Sequence, residues 1–240
     1  MRLSEDQNGE FVETEFVETT GICPGCDAQV KAITFAGKTW ADLCDACEAK
    51  QRELEKEKLQ AKLKARAAES IAKEIPRRYR KNDCSRFPAE WSQIIKWEPN
   101  SDGRGLVVVG DTGKCKTRML CQLAINLAHI GVKFSFMRSS TLAALVRQQY
   151  SDFEPWAARD EIKRLSRVPV LIVDDLGKQA SSPAVEEAFF DLIEERTSQG
   201  LPVLVTANAK GAELERMMSA DRGRPLIRRI RDYCTAVVLK

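Results

Sequence analysis

Five apolar, β-branched runs mark the second half of this chain: GLVVVG (105–110), VKFSFM (132–137), VPVLIVDD (168–175), LPVLVTAN (201–208) and CTAVVL (234–239). Stretches of helical composition separate them at 117–130, 140–167 and 184–199. A nearly continuous apolar strand cannot leave either face to water. Strands of that kind alternating with helices predict a parallel sheet covered on both sides, an α/β architecture. The expected domain spans 76–240, with five parallel strands. Because Lys240 follows the last strand directly, a core without a full C-terminal helical lid is expected.

No apolar run approaches the roughly 18 residues needed to cross a bilayer. The N-terminus, MRLSEDQNGEFVETEF, is acidic and lacks the apolar core of a secretion signal. Both features predict a cytoplasmic protein with no membrane partner. In that reducing compartment eight cysteines are not a disulfide scaffold and need another role.

Four of them form two pairs, Cys23-Pro-Gly-Cys26 and Cys44-Asp-Ala-Cys47, separated by seventeen residues. Two such turns present four thiolates to one Zn²⁺, and the single histidine, His129, lies far downstream. A closed four-thiolate site is structural, and metal binding would supply most of the folding energy of so short a segment. VKAITFAGKTW (30–40) reads as a small hairpin beside it. Residues 1–20 carry Glu5, Asp6, Glu10, Glu13, Glu15 and Glu18 against Arg2, which favours a protein partner over DNA for this module. The other cysteines, Cys84, Cys121 and Cys234, read as small core or helix residues.

After Cys47 comes a run to Ile75 without Gly or Pro, rich in Glu, Lys, Ala and Leu. It predicts a solvated connecting helix supported by pairs one turn apart, Glu48–Arg52 and Glu69–Lys73. Pro76 ends it. The division expected is a tail and zinc module (1–47), a helical linker (48–75) and the α/β domain (76–240). RRYRK (77–81) is a basic patch able to track nucleic-acid phosphates or simply to be solvated.

The first apolar run leads into Gly110-Asp111-Thr112-Gly113-Lys114-Cys115-Lys116-Thr117-Arg118. This follows G-x4-G-K-[ST] between strand and helix, with Cys115 where the second glycine belongs. Such loops aim backbone N–H groups and a helix N-terminus at phosphate. Lys116 would reach the β- and γ-phosphates and Thr117 would bind Mg²⁺. Cys115 is small, yet it costs something where positive φ or close phosphate approach is required. The VLIVDD run ends in Asp174 and Asp175, a metal-holding carboxylate followed by one that orients or activates water. VLVTAN ends in Asn208, which can sense the γ-phosphate. Lys116, Asp174, Asp175 and Asn208 all fall at the C-terminal ends of strands, where open α/β sheets bind ligands.

GLVVVGDTGKCKTRML, FSFMRSSTLAALVRQQYS, RLSRVPVLIVDDLGK, EEAFFDLIEERTSQGLPVLVTAN and RPLIRRIRD, taken in this order, resemble the AAA+ ATPases of the DnaC/IstB type, which include helicase loaders and transposition helpers. The resemblance covers about 76–240 and implies ATP with Mg²⁺ and a homo-oligomer on ATP or DNA. It implies an arginine finger reaching the neighbouring subunit, carried by Arg228 or Arg229, with Arg229 favoured. It also implies a helical insertion that touches single-stranded DNA through Arg138, Ser139, Ser140, Arg147 and Tyr150. A zinc module ahead of the ATPase is similar to loaders whose N-terminal domain grips the replicative helicase. The sequence departs from the family at Cys115, and at Asp175, where many such enzymes use Glu.

Three functions therefore remain open at this stage. The leading one is an ATP-dependent loader that delivers a replicative helicase to single-stranded DNA, of a phage or mobile element. The second is a transposition helper that recruits a transposase, and the third a nucleotide-binding adaptor that does not hydrolyse.

Overall fold

The structure is a computed structural model describing residues 2–5, 11–14, 16–35, 38–100, 102–177, 182–209, 211–216 and 223–240. Asp6, Glu10 and Glu15 of the acidic tail, and Arg222, lie outside the described residues. The chain divides into two units, Met1–Lys62 and Leu63–Lys240.

In the first unit β1 (Arg2–Glu5) and β2 (Phe11–Thr14) form an antiparallel hairpin. A second antiparallel sheet contains β3 (Val17–Ile22), β4 (Gln29–Phe35) and β5 (Lys38–Ala41). The hairpin expected over 30–40 is the β4–β5 pair, with Ile33 opposite Trp40. Hydroxyls of Thr19, Thr34 and Thr39 bridge the three strands at 3.2 and 2.9 Å, and the rings of Phe16 and Phe35 stack at 4.5 Å. Among residues 16–62 whose side chains are described, only Cys23 and Ala32 are buried. A unit with so little apolar interior needs another source of stability.

The helix α1 (Asp45–Glu74) begins in the first unit, with the Glu48–Arg52 ion pair formed. Its last turns belong to the second unit, where one face is packed while the other stays exposed. Ala67 and Ile75 are buried, with Ile71 packed beside them. The Glu74 carboxylate accepts from Ser135 Oγ at 2.8 Å and from Phe136 N at 3.1 Å. Sparse apolar positions confined to one end of a helix suffice to dock that end.

The rest of the second unit runs α2 (Trp91–Ile94), β6 (Gly105–Val109), α3 (Lys116–His129), β7 (Phe134–Arg138), α4 (Ser139–Gln148), α5 (Pro155–Arg167) and β8 (Val170–Leu176). It continues through α6 (Pro183–Ser198), β9 (Val203–Ala207), α7 (Gly211–Arg216) and α8 (Gly223–Tyr233) to β10 (Cys234–Val238). Five strands form a parallel sheet in the order β10-β6-β9-β8-β7. Strand alternation splits the core between its two faces. Leu106, Val108, Val170, Ile172 and Leu204 pack with Met119, Leu120, Leu123 and Leu127 of α3. Val107, Val109, Leu171, Val173 and Val205 pack with Leu142, Val146, Phe189, Leu192, Ile227 and Ile230 of α4, α6 and α8. Gly105 admits no side chain, since a Cβ there would lie 2.0 Å from Val203 O.

The helical run expected over 140–167 is two helices. Pro155 opens α5, and the residue before a proline avoids the right-handed helical region. Glu154 accordingly stands at φ 44° and breaks the run. No helix among the described residues is long and apolar enough to cross a membrane. Cys121 and Cys234 are core residues, whereas Cys84 is exposed.

Candidate nucleotide site and metal centre

The loop between β6 and α3 is shaped by two residues of positive φ, Gly113 at 92° and Cys115 at 59°. Cys115 is the residue before α3, so the glycine position of the motif does demand the left-handed region, and a cysteine occupies it against its preference. Asp111, Thr112, Gly113 and Lys114 are exposed along the loop, and Cys115 is half-buried. Lys116 is buried, and its Nζ donates to Gly110 O at 2.6 Å and Asp111 O at 2.8 Å, which holds the ammonium inside the curve of the loop.

Two strands away, Asp174 is buried at the end of β8. Its Oδ1 accepts from Thr117 Oγ1 at 2.8 Å and from Thr206 Oγ1 at 2.7 Å. The β8–β9 register shifts between Val173 and Leu176, and Asp175 takes φ 65° there. Three groups hold that conformation. Asp175 N donates to Thr206 Oγ1 at 2.8 Å, Ser139 Oγ donates to Asp175 O at 2.7 Å, and Asn208 Nδ2 donates to Asp175 Oδ1 at 3.0 Å.

These groups wall one cleft of about 600 Å³ above the C-terminal edge of the sheet. Thr112 to Arg118, Asp174, Asp175 and Asn208 line it, as do Arg78, Tyr79, Arg138 and Ser139. Gly110 closes the loop from below through its carbonyl. The donor set suits a triphosphate and a divalent cation: a helix N-terminus with Lys116 for the anion, and the Thr117 hydroxyl with the Asp174 carboxylate for the metal.

The residues expected to touch DNA divide between two places. Arg138 and Ser139, expected with the DNA contacts, line the cleft; Arg147 and Tyr150 do not. Arg147 is exposed in the last turn of α4 and Tyr150 just beyond it, and Phe153 of the following loop and Trp156 of α5 are exposed as well. Tyr79 of the basic patch is buried, its ring 4.4 Å from the Arg78 guanidinium and 5.8 Å from that of Arg118, so it is not a free stacking surface. On α8, Arg229 pairs with Glu194 of α6 and lies 5.5 Å over Tyr233. Arg228 is exposed, and among the described residues its ion pair is with Asp232 of its own helix at 3.8 Å.

Thr206 was not singled out from the sequence. The signal was present, since a lone hydroxyl interrupts the apolar run VLV-T-A two residues before Asn208, on the same side of the strand.

In the first unit the four expected sulfurs come together. Cys23, Cys26, Cys44 and Cys47 Sγ all lie within 4.8 Å of one another, with Cys26 and Cys44 at 3.5 Å. A tetrahedron with Zn–S bonds of about 2.3 Å has edges of about 3.8 Å, so the cage fits that ion. The backbone N–H of Cys44 donates to Cys23 Sγ at 3.3 Å and that of Gly25 at 3.4 Å. With the Cys44 bond contributing most, the Cys23 thiol is lowered to about 6 against the opposing effect of burial. A Cβ on Gly25 would sit 2.9 Å from Cys47 Sγ, so a side chain there would press on the thiol cage.

The family model described as IstB-like ATP binding protein matches residues 48–237. Among solved structures the chain is similar to DnaI at 20% identity and TM-score 0.57, covering 69% of this chain and 92% of that one. A putative primosome component from Streptococcus pyogenes serotype M3 matches at 27% identity and TM-score 0.56, covering 69% and 90%. The DnaC helicase loader matches at 21% identity and TM-score 0.50, covering 63% and 86%. No curated protein matches the chain.

Proposed function

This chain belongs to the IstB-like ATP-binding family, and on that premise we propose that it is a Mg²⁺-dependent ATPase that loads a replicative helicase onto single-stranded DNA. One observation carries the reading. Lys116, Asp174, Asp175 and Asn208, drawn from three strand ends, line a single cleft, a set of groups that suits nucleotide hydrolysis.

Each side chain has a definable task. Lys116 and the N–H groups from Thr112 to Thr117 hold the β- and γ-phosphates. Thr117 and Asp174 would hold Mg²⁺, which when bound neutralises charge on the phosphate oxygens. Asp175 accepts a proton from, or orients, the attacking water, and Asn208 fixes the Asp175 carboxylate while facing the same cleft. Arg138 stands in the cleft wall as a cation in cis, and Arg78 and Arg118 frame its other side. Arg228 is the better arginine finger, because Arg229 is already engaged with Glu194.

The DNA surface we assign runs from the last turn of α4 through the following loop into α5, where Arg147 offers a cation and Tyr150, Phe153 and Trp156 offer rings for base stacking. The zinc module would dock the helicase, supported by its separation as a unit and by the primosome relative. A transposition helper shares every feature of the ATPase unit and is the second reading, which the family description favours.

The decisive experiment measures ATP turnover of the full chain with and without single-stranded DNA, beside Lys116→Ala. DNA-stimulated turnover abolished by the substitution is expected. Equal rates for the two proteins would end the reading. Capture of a helicase rather than a transposase by the full chain separates loader from helper.

A further inference from the structure

The Thr206 hydroxyl is bonded to both acidic residues of the cleft. It is 1% exposed, on the middle strand of the sheet, two residues before Asn208, which follows that strand directly. Its hydrogen-bond directions are fixed by its neighbours. The backbone N–H of Asp175 can only donate, so Thr206 Oγ1 accepts there at 2.8 Å. Its own proton is therefore committed to Asp174 Oδ1 at 2.7 Å. Thr117 donates to the same oxygen, so Oδ1 is occupied by two hydroxyl protons and Oδ2 is the oxygen left to face a cation.

We propose that Thr206 is a positioning residue for the metal carboxylate and the water-orienting carboxylate together. Through Asp174 it turns Oδ2 toward the cleft. Through the Asp175 amide it stabilises a left-handed residue that has no glycine to ease it, and so aims the Asp175 side chain at Asn208. A valine has the same shape without the hydroxyl. It would free Asp174 to rotate and leave the buried Asp175 N–H without its acceptor. Partners of this kind around metal ligands are worth about 10–100-fold in metal affinity or activity.

The inference rests on the ATPase reading above, and its test separates the two. Mn²⁺ affinity is measured by electron paramagnetic resonance on the full chain saturated with a non-hydrolysable ATP analogue, for the natural protein, Thr206→Val and Thr206→Ser. Analogue affinity in EDTA and steady-state turnover are measured in parallel. Thr206→Val is expected to bind the analogue without metal within about twofold of the natural protein, to weaken Mn²⁺ by about tenfold or more, and to lower kcat with little change in KM. Thr206→Ser, which keeps the hydroxyl, is expected to restore both. Unchanged Mn²⁺ affinity in the valine variant, or a serine variant as impaired as the valine one, overturns the proposal. Should the valine variant fail to fold, the serine variant alone decides, since loss of Mn²⁺ affinity with the hydroxyl retained refutes the role. Absence of turnover in the natural protein refutes hydrolysis, while the Mn²⁺ measurement still decides the role of Thr206.

Discussion

The Thr117 hydroxyl donates to Asp174 Oδ1 over 2.8 Å, joining the first turn of α3 to a strand end 57 residues later. Asp174 is buried, and the groups bonded to it are neutral hydroxyls. Burying a carboxylate is costly for the fold, and such a group is retained where a metal is to be held. Asp174→Asn keeps the acceptor oxygen and removes the charge. The expected outcome is unchanged or slightly raised thermal stability, retained nucleotide binding, and Mg²⁺-dependent turnover lower by at least about a hundredfold. Thermal melts and a Mg²⁺ titration of turnover check it.

Cys115 occupies a left-handed position in contact with the cleft, where a non-glycine residue carries a cost of about 1 kcal/mol. Cys115→Gly removes that cost and opens the loop to closer phosphate approach, offset in part by the greater freedom of glycine in the unfolded chain. Stability is expected to change by less than about 1 kcal/mol while ATP affinity or turnover rises severalfold. In the natural protein, bound ATP should shield Cys115 from iodoacetamide, read by mass spectrometry. Labelling indifferent to saturating ATP would contradict the loop geometry.

The four-thiol cage predicts one zinc per chain. With only Cys23 and Ala32 buried among the described side chains of residues 16–62, the first unit depends on the ion for its fold. Chelation, or Cys44→Ser, is expected to release the metal and make this unit sensitive to protease. The α/β unit should retain its nucleotide affinity within about twofold, because it has its own extensive core. Metal analysis and limited proteolysis are the measurements.

The strands and the cleft were legible in the sequence because both follow local rules. An apolar run buried on two faces has no competing reading, and a polar residue at its C-terminal end falls at the ligand edge of a parallel sheet. What escaped depends on contacts between distant segments. Glu74 reads as one more charge on a solvated helix until it meets the free N–H of Phe136. Arg196 reads as a surface residue of α6, yet it is fully buried and donates to Leu165 O, Val168 O, Pro169 O and Pro202 O below the sheet. Burial lowers its pKa to about 10, which leaves it charged at neutral pH. Arg138 and Arg147 look equivalent in sequence, and only the turn from β7 into α4 sends one to the cleft and the other to the surface.

The choice between Arg228 and Arg229 follows from what each already touches. Arg229 pairs with Glu194, which fastens α8 to α6, and covers the Tyr233 ring of its own helix, so moving it to another subunit would break both contacts. Arg228 is exposed, and among the described residues it is held by a weak pair one turn along its own helix, a kind of pair that contributes about 0.3–0.5 kcal/mol and yields readily to a phosphate. Arg228→Ala is therefore expected to lower turnover by about a thousandfold or more with ATP affinity unchanged, the loss typical of an arginine acting on the transition state. Arg229→Ala should instead lower the melting temperature modestly and leave more of the turnover. An arginine acting in trans makes a further demand. Arg228→Ala has an intact phosphate loop and Lys116→Ala an intact arginine, so mixing the two inactive proteins should restore turnover, rising with total protein concentration. Absence of recovery in the mixture, with both variants folded and able to associate, would rule out Arg228 as the residue supplied by a neighbour.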